Sequence, residues 1–113
     1  MTIPADQALF LDQLHVLAEC MKNDYLNNWG GSGFYDIVFE HGSKYVKVVN
    51  LTGSADAPHR SCHGFVVIAD GPKFKRGDML KCATWATPAK NFKRGNIFNL
   101  TKTSHVAWTG IGN

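Results

Sequence analysis

The sequence predicts an α+β fold: one N-terminal amphipathic helix packed on a mainly antiparallel sheet of four to six short strands. An apolar period of three to four residues runs over residues 4–25. Period-two alternation broken by turn signals occupies most of residues 34–100. The strands follow the helix as a run and do not alternate with further helices, which argues against a parallel βαβ sheet. At 113 residues the chain is expected to form a single domain over 1–113, long enough to bury a core without staples. Its 44% apolar and 19% charged residues are those of a folded chain, not a disordered one.

The helix is predicted over 4–25. Phe10, Leu14, Leu17, Met21 and Tyr25 form one apolar stripe, which Leu11 and Ala18 widen. Pro4 suits a first helical turn, where its missing N–H is no loss, and Asp6 suits the positive end of the helix dipole. Asn27-Asn28-Trp29-Gly30-Gly31-Ser32-Gly33 reads as a loop. Phe34–Glu40 alternates, with Tyr35, Ile37 and Phe39 on one face and Asp36, Val38 and Glu40 on the other. A turn at His41-Gly42-Ser43 leads to a second strand over Lys44–Asn50, completing a hairpin. Residues 51–62 read as the longest polar loop, the kind of segment that often carries function. Strands are expected at His63–Ala69 and Met79–Thr84, with Asp70-Gly71-Pro72 as a turn between them. Residues 101–113 form a C-terminal tail or an edge strand around Ser104–Trp108.

Phe74-Lys75-Arg76-Gly77-Asp78-Met79-Leu80 is echoed 18 residues later by Phe92-Lys93-Arg94-Gly95-Asn96-Ile97-Phe98. In each copy glycine permits a left-handed backbone and Asx stabilises a turn before the chain enters a strand, while Lys-Arg is expected to face water. The echo is read either as two similar structural turns or as two basic turns gripping a phosphate backbone.

Charge is divided unevenly. Residues 1–40 hold six acids and one base, net −5; residues 41–113 hold eleven bases and three acids, net +8. Residues 71–102 alone carry eight bases against Asp78, interleaved with Phe74, Trp85, Phe92 and Phe98. Cations that neutralise phosphates and rings that stack on bases together suit a nucleic-acid partner, although an acidic protein would be attracted by the same charge. The expected contact residues are Arg60, His63, Lys81, Trp85, Lys90, Phe92, Lys93 and Arg94. No apolar run approaches the roughly 20 residues of a membrane span, and the N-terminus lacks the basic-then-apolar pattern of a signal peptide. Cys20, Cys62 and Cys82, an odd and irregularly spaced set, are expected to be free thiols in a reducing compartment.

Catalytic and metal chemistry find less support. His59, Cys62, His63 and Cys82 invite zinc, but adjacent Cys62 and His63 on a strand would point to opposite faces, and the paired spacing of structural zinc sites is missing. Arg60-Ser61-Cys62-His63 lacks a nucleophile-elbow pattern, and no phosphate-binding glycine motif occurs. No metal, cofactor or catalytic residue is therefore assigned. A small enzyme or nucleotide-binding site built on Arg60, Ser61, His63 and Lys90 remains an alternative class.

Three segments carry a resemblance. Arg60-Ser61-Cys62-His63-Gly64-Phe65-Val66, the run from Gly77-Asp78-Met79-Leu80-Lys81 through Trp85 to Pro88-Ala89-Lys90, and Arg94-Gly95-Asn96-Ile97-Phe98 resemble a pattern in a group of small tailed-bacteriophage proteins: R-S-x-H, G-D-x-L-K-x-x-x-W-x-x-P-A-K and R-G-N-I-F. The likeness spans about residues 44–100 and leaves out the helix. It implies a phage accessory protein working in the cytoplasm of the infected bacterial host and transfers no catalytic role. The expected function is non-enzymatic nucleic-acid binding. The rival is inhibition of a host defence or transcription protein by direct contact.

Overall fold

The structure, a computed structural model, describes residues 5–29, 34–91 and 93–110. Helix α1 (Ala5–Trp29) precedes strands β1 (Phe34–His41), β2 (Tyr45–Gly53), β3 (His59–Val67) and the short β4 (Met79–Leu80); one 3₁₀ turn follows at Ile97–Asn99. The strands form one antiparallel sheet in the order β1-β2-β3-β4. This is the α+β arrangement the sequence predicts, with four strands. No helix among the described residues is long and apolar enough to cross a membrane.

α1 buries the predicted stripe. Phe10, Leu14, Leu17 and Met21 pack with Val46, Val48 and Val66 on one sheet face, joined by Met79, Ile97 and Val106. Burying side chains of this size stabilises the fold by roughly 1.5–3 kcal/mol each, which is why helical periodicity survives from sequence to structure. Two polar clamps fix the helix. Gln13 Nε2 donates to the carbonyls of Ile97 (2.6 Å) and Leu100 (3.0 Å). Asp24, buried near the C-terminal end, accepts Trp108 N–H at 2.9 Å and lies 2.8 Å from His105 Nε2. Tyr25, Tyr35 and Trp108 close that end as an aromatic triad with centroids 4.4–5.5 Å apart.

Several expected boundaries move. α1 continues through Asn27-Asn28-Trp29, while Gly30–Gly33 lies outside the described residues. The expected 51–62 loop is mostly strand: β2 runs to Gly53, β3 begins at His59, and only residues 54–58 connect them. The reason is register. Leu51 pairs with Arg60 and Thr52 with His59, so the polar residues of this stretch sit in a ladder whose backbone bonds are satisfied whatever the side chains. β4 shrinks to two residues, and residues 101–110 have no strand; they pack against α1 as coil and turns.

The echoed motifs pair with each other. Gly77 (φ 90°) and Gly95 (φ 117°) both take the left-handed backbone, Asp78 bridges to Asn96, and the exchange is reciprocal: Ile97 N–H donates to Gly77 O at 2.9 Å, Met79 N–H to Gly95 O at 2.8 Å. A Cβ on Gly77 would lie 2.7 Å from the Phe98 ring, so the turn needs glycine both for its φ and for the close approach. Asp78, 1% exposed, accepts Lys75 N–H at 2.8 Å and Asn96 Nδ2–H at 2.9 Å. Arg76 does not point to water as expected. Its guanidinium lies 4.3 Å from the Phe10 ring, donates to Gln7 Oε1 at 3.0 Å and reaches Ile68 O, tying the sheet to the start of α1.

The expectation of three free thiols is also corrected. Cys62 on β3 and Cys82 beyond β4 form a disulfide, with Cα atoms 6.5 Å apart; only buried Cys20 is free. β3 and β4 are adjacent antiparallel strands, and Cys82 follows two residues after Leu80, so strand pairing brings the two sulfurs together although they lie 20 residues apart in sequence.

Candidate functional site on the outer sheet face

The sheet face opposite α1 carries Val38 and Glu40 from β1, Tyr45, Lys47, Val49 and Leu51 from β2, and Arg60, Cys62, Phe65 and Val67 from β3, as strand alternation and the register require, while Asp36 on the edge strand reaches back to Lys22 of α1 at 3.3 Å. Phe65, Val67 and Leu80 form a small second core there, with Tyr45, Phe74 and the two disulfide sulfurs packed around it.

A tight loop over residues 81–89 is fastened to this face. Ala89 N–H donates to Lys81 O at 2.7 Å, Ala83 N–H to Thr87 O at 2.9 Å, and Thr84 Oγ1 accepts the N–H groups of Ala86 and Thr87. The disulfide ties the loop to β3. Trp85 at its tip is 46% exposed, with Lys47 Nζ 3.2 Å and the Arg60 guanidinium 5.9 Å from its ring centroid. Arg60 also pairs with Glu40 across the sheet. Partial removal from water lowers the Lys47 pKa; Glu40 pulls it back up, and the positive charge of Arg60 pushes it down.

Beside this cluster lies a groove of about 480 Å³ bordered by Tyr45, Phe74, Lys44, Lys73 and Lys90, with Asp70 as its one carboxylate. A shallower recess of about 370 Å³, sharing Ser43, Lys44 and Tyr45 with it, extends past Glu40 to Lys47. Trp85, Lys47, Lys44, Tyr45, Phe74 and Lys90 therefore lie along one continuous path.

The expected contact residues separate into groups. Arg60 and Trp85 meet directly, and Lys90 borders the groove with its Nζ 5.9 Å from the Tyr45 ring. Lys81 is exposed at the base of the Trp85 loop. Lys93 lies 3.7 Å from Asp78, and Arg94 is half-buried with its backbone N–H on Met79 O, so both stand at the paired turns. Phe92 lies outside the described residues. His63 does not join the surface. It is 1% exposed, and its Nε2 sits 2.8 Å from Ala107 O on the helix side. A β-bulge explains this: Val48 pairs with Gly64 and Val49 with Cys62, leaving His63 as the extra residue on β3. Because a carbonyl only accepts, Nε2 carries the proton, and burial pushes the His63 pKa down to about 4 despite that bond. Arg60, His63 and Lys90 are therefore not gathered into one pocket, and no group of three or more metal-ligating side chains occurs among the described residues.

The expected contact set omits Lys44, Tyr45, Lys47, Lys73 and Phe74. Lys73 and Phe74 lie inside the basic stretch; Tyr45 and Lys47 share a strand face by simple alternation. What the sequence did not disclose is that β2 places them beside residues some 30–45 positions later. No protein-family model, curated protein or solved structure matches this chain, so its function rests on this geometry.

Proposed function

We propose that this protein binds single-stranded nucleic acid along its outer sheet face, without catalysing a reaction. One observation carries the reading: five cations (Lys44, Lys47, Arg60, Lys73 and Lys90) lie along one path with three partly exposed rings (Tyr45, Phe74 and Trp85), against the carboxylates of Glu40 and Asp70. Cations spaced along a groove neutralise phosphates, and rings between them accept unstacked bases. A duplex keeps its bases stacked and is read mainly by an element entering a groove. The long helix here is packed on the opposite face and exposes Asp12 and Glu19, which disfavours that mode. The resemblance of three motifs to small phage proteins supports a role inside an infected bacterium. In that cytoplasm thiols are kept reduced, so the redox state of Cys62–Cys82 becomes a variable of the function.

The test is fluorescence-anisotropy titration of labelled single-stranded DNA and RNA, about 12 nucleotides long, across a salt series, since such sites span roughly 4–16 nucleotides. Engagement of about four phosphates predicts a slope of log K against log salt near −3. Trp85→Ala is expected to weaken binding by about 1–3 kcal/mol, the usual contribution of one stacked base. No binding at low salt, or equal binding by Trp85→Ala, ends the proposal.

A further inference from the structure

Resting on that reading, we infer that the groove between the Gly42–Tyr45 and Gly71–Phe74 turns is a nucleotide pocket: it takes one nucleobase against Tyr45 and Phe74, with the attached phosphate held by lysines at its rim. Strand binding uses the whole path from Trp85 to Lys90 and needs no closed pocket; the claim here concerns the groove end of that path alone.

The groove is built before any ligand arrives. One wall is the β1–β2 turn, closed by Gly42 N–H on Tyr45 O at 2.9 Å. The other is the turn after β3, closed by Gly71 N–H on Phe74 O at 2.7 Å. Ile68 N–H donates to Lys44 O at 3.1 Å and ties the first wall to the end of β3, while Val67 lies between the two walls. The Asp70 carboxylate is anchored by Arg76 N–H at 2.7 Å, and the Tyr45 ring is braced by Phe65 at 6.0 Å. A site held by backbone bonds loses little conformational freedom when it is filled.

Its chemistry selects a flat apolar body carrying an anion. The volume of about 480 Å³ falls in the range of small-ligand sites. Tyr45 and Phe74 are half-buried and both line the groove. Lys44, Lys73 and Lys90 come from three separate segments. Lys73 donates to the carbonyl of Lys90, so two of the three cationic segments are linked at the same rim. A free phosphate would satisfy the lysines and leave the rings bare; an uncharged aromatic would do the reverse. A nucleoside monophosphate unit, alone or within a strand, satisfies both.

The experiment is calorimetric titration of the full chain with AMP, CMP, GMP and UMP, with inorganic phosphate and with the parent nucleosides. At least one mononucleotide is expected to bind about tenfold more tightly than either phosphate or its nucleoside. Lys90→Gln and Lys44→Gln, both at exposed positions, are each expected to weaken binding about tenfold, the effect of one lost charge-assisted hydrogen bond. Lys102→Gln, exposed and outside the groove, serves as the control with unchanged affinity. A chemical-shift map on the wild-type chain must place the ligand at Tyr45 and Phe74, a readout that needs no variant to fold. Absence of mononucleotide binding at millimolar concentration, or binding that maps elsewhere, overturns the pocket. Oligonucleotide binding that persists in that case leaves the strand-binding function standing. Mononucleotide binding without oligonucleotide binding removes the strand and keeps the pocket.

Discussion

His63 is a buried base with one hydrogen bond. In its neutral form Nε2–H donates to Ala107 O at 2.8 Å, and Nδ1 has no hydrogen-bond partner among the described residues. Protonation would place a second donor and a charge in the same enclosed position, so burial holds its pKa down at about 4, below the ordinary value of 6.5. Between those two pH values the unfolded chain binds the proton and the native chain does not, so native stability falls as pH drops from 6.5 toward 4. The full effect is on the order of 3 kcal/mol. Urea unfolding measured at several pH values checks this: wild type should lose stability over that window, and His63→Gln should show a visibly flatter dependence. The sequence reads His63 as a surface contact residue. The bulge that turns it inward depends on how β2 and β3 pair, and no local signal in His59–Gly64 announces it.

At the scale of elements, the loop bearing Trp85 is held by its own hydrogen bonds and by the Cys62–Cys82 tie to β3. Closing a loop across 20 residues restricts the unfolded chain and is worth about 3 kcal/mol by the chain-entropy account. Reduction with a dithiol, or Cys82→Ser, is expected to lower unfolding free energy by about that amount and to weaken oligonucleotide affinity severalfold as the loop loosens; denaturant and binding titrations with and without reductant measure both. Unchanged affinity after reduction would mean that the loop's own bonds are enough to hold Trp85. The pairing of Gly77-Asp78 with Gly95-Asn96 belongs to this scale too. Repetition was plain in the sequence. That the two copies face and bond one another was not, because similar turns also occur far apart.

Across the molecule, the last described segment acts as a tie. Asp24 on α1 holds Trp108 N–H, Asn50 Nδ2 on β2 donates to Trp108 O at 2.8 Å, and His63 on β3 bonds Ala107 O, so residues 105–108 join the helix to two strands. Deleting residues 101–113 would take away the partners of Asn50 Nδ2 and His63 Nε2, remove the bonds from Trp108 N–H and His105 to Asp24, and uncover the core around Val106. Each buried group so stranded costs about 1–3 kcal/mol, and the total is comparable with the whole stability of a domain this size. The truncated chain is expected to show no cooperative thermal transition by circular dichroism. A melt like that of the full chain would show the segment to be dispensable. The sequence read residues 101–113 as a tail or an edge strand; its importance comes from partners more than 40 positions away.

The sequence alone determined the fold class, the buried stripe of α1, the face assignment of the first hairpin and the concentration of positive charge after residue 40. These follow from periodicity and composition, which act over a few neighbouring residues and persist wherever the segment docks. Tertiary structure decided the rest: the inward turn of His63, the disulfide, the use of Arg76 as an internal tie, and the meeting of Lys47 with Trp85 38 positions away. Each depends on strand register, where a shift of one residue sends a side chain to the opposite face, and register is set by the packing of the whole sheet against its helix.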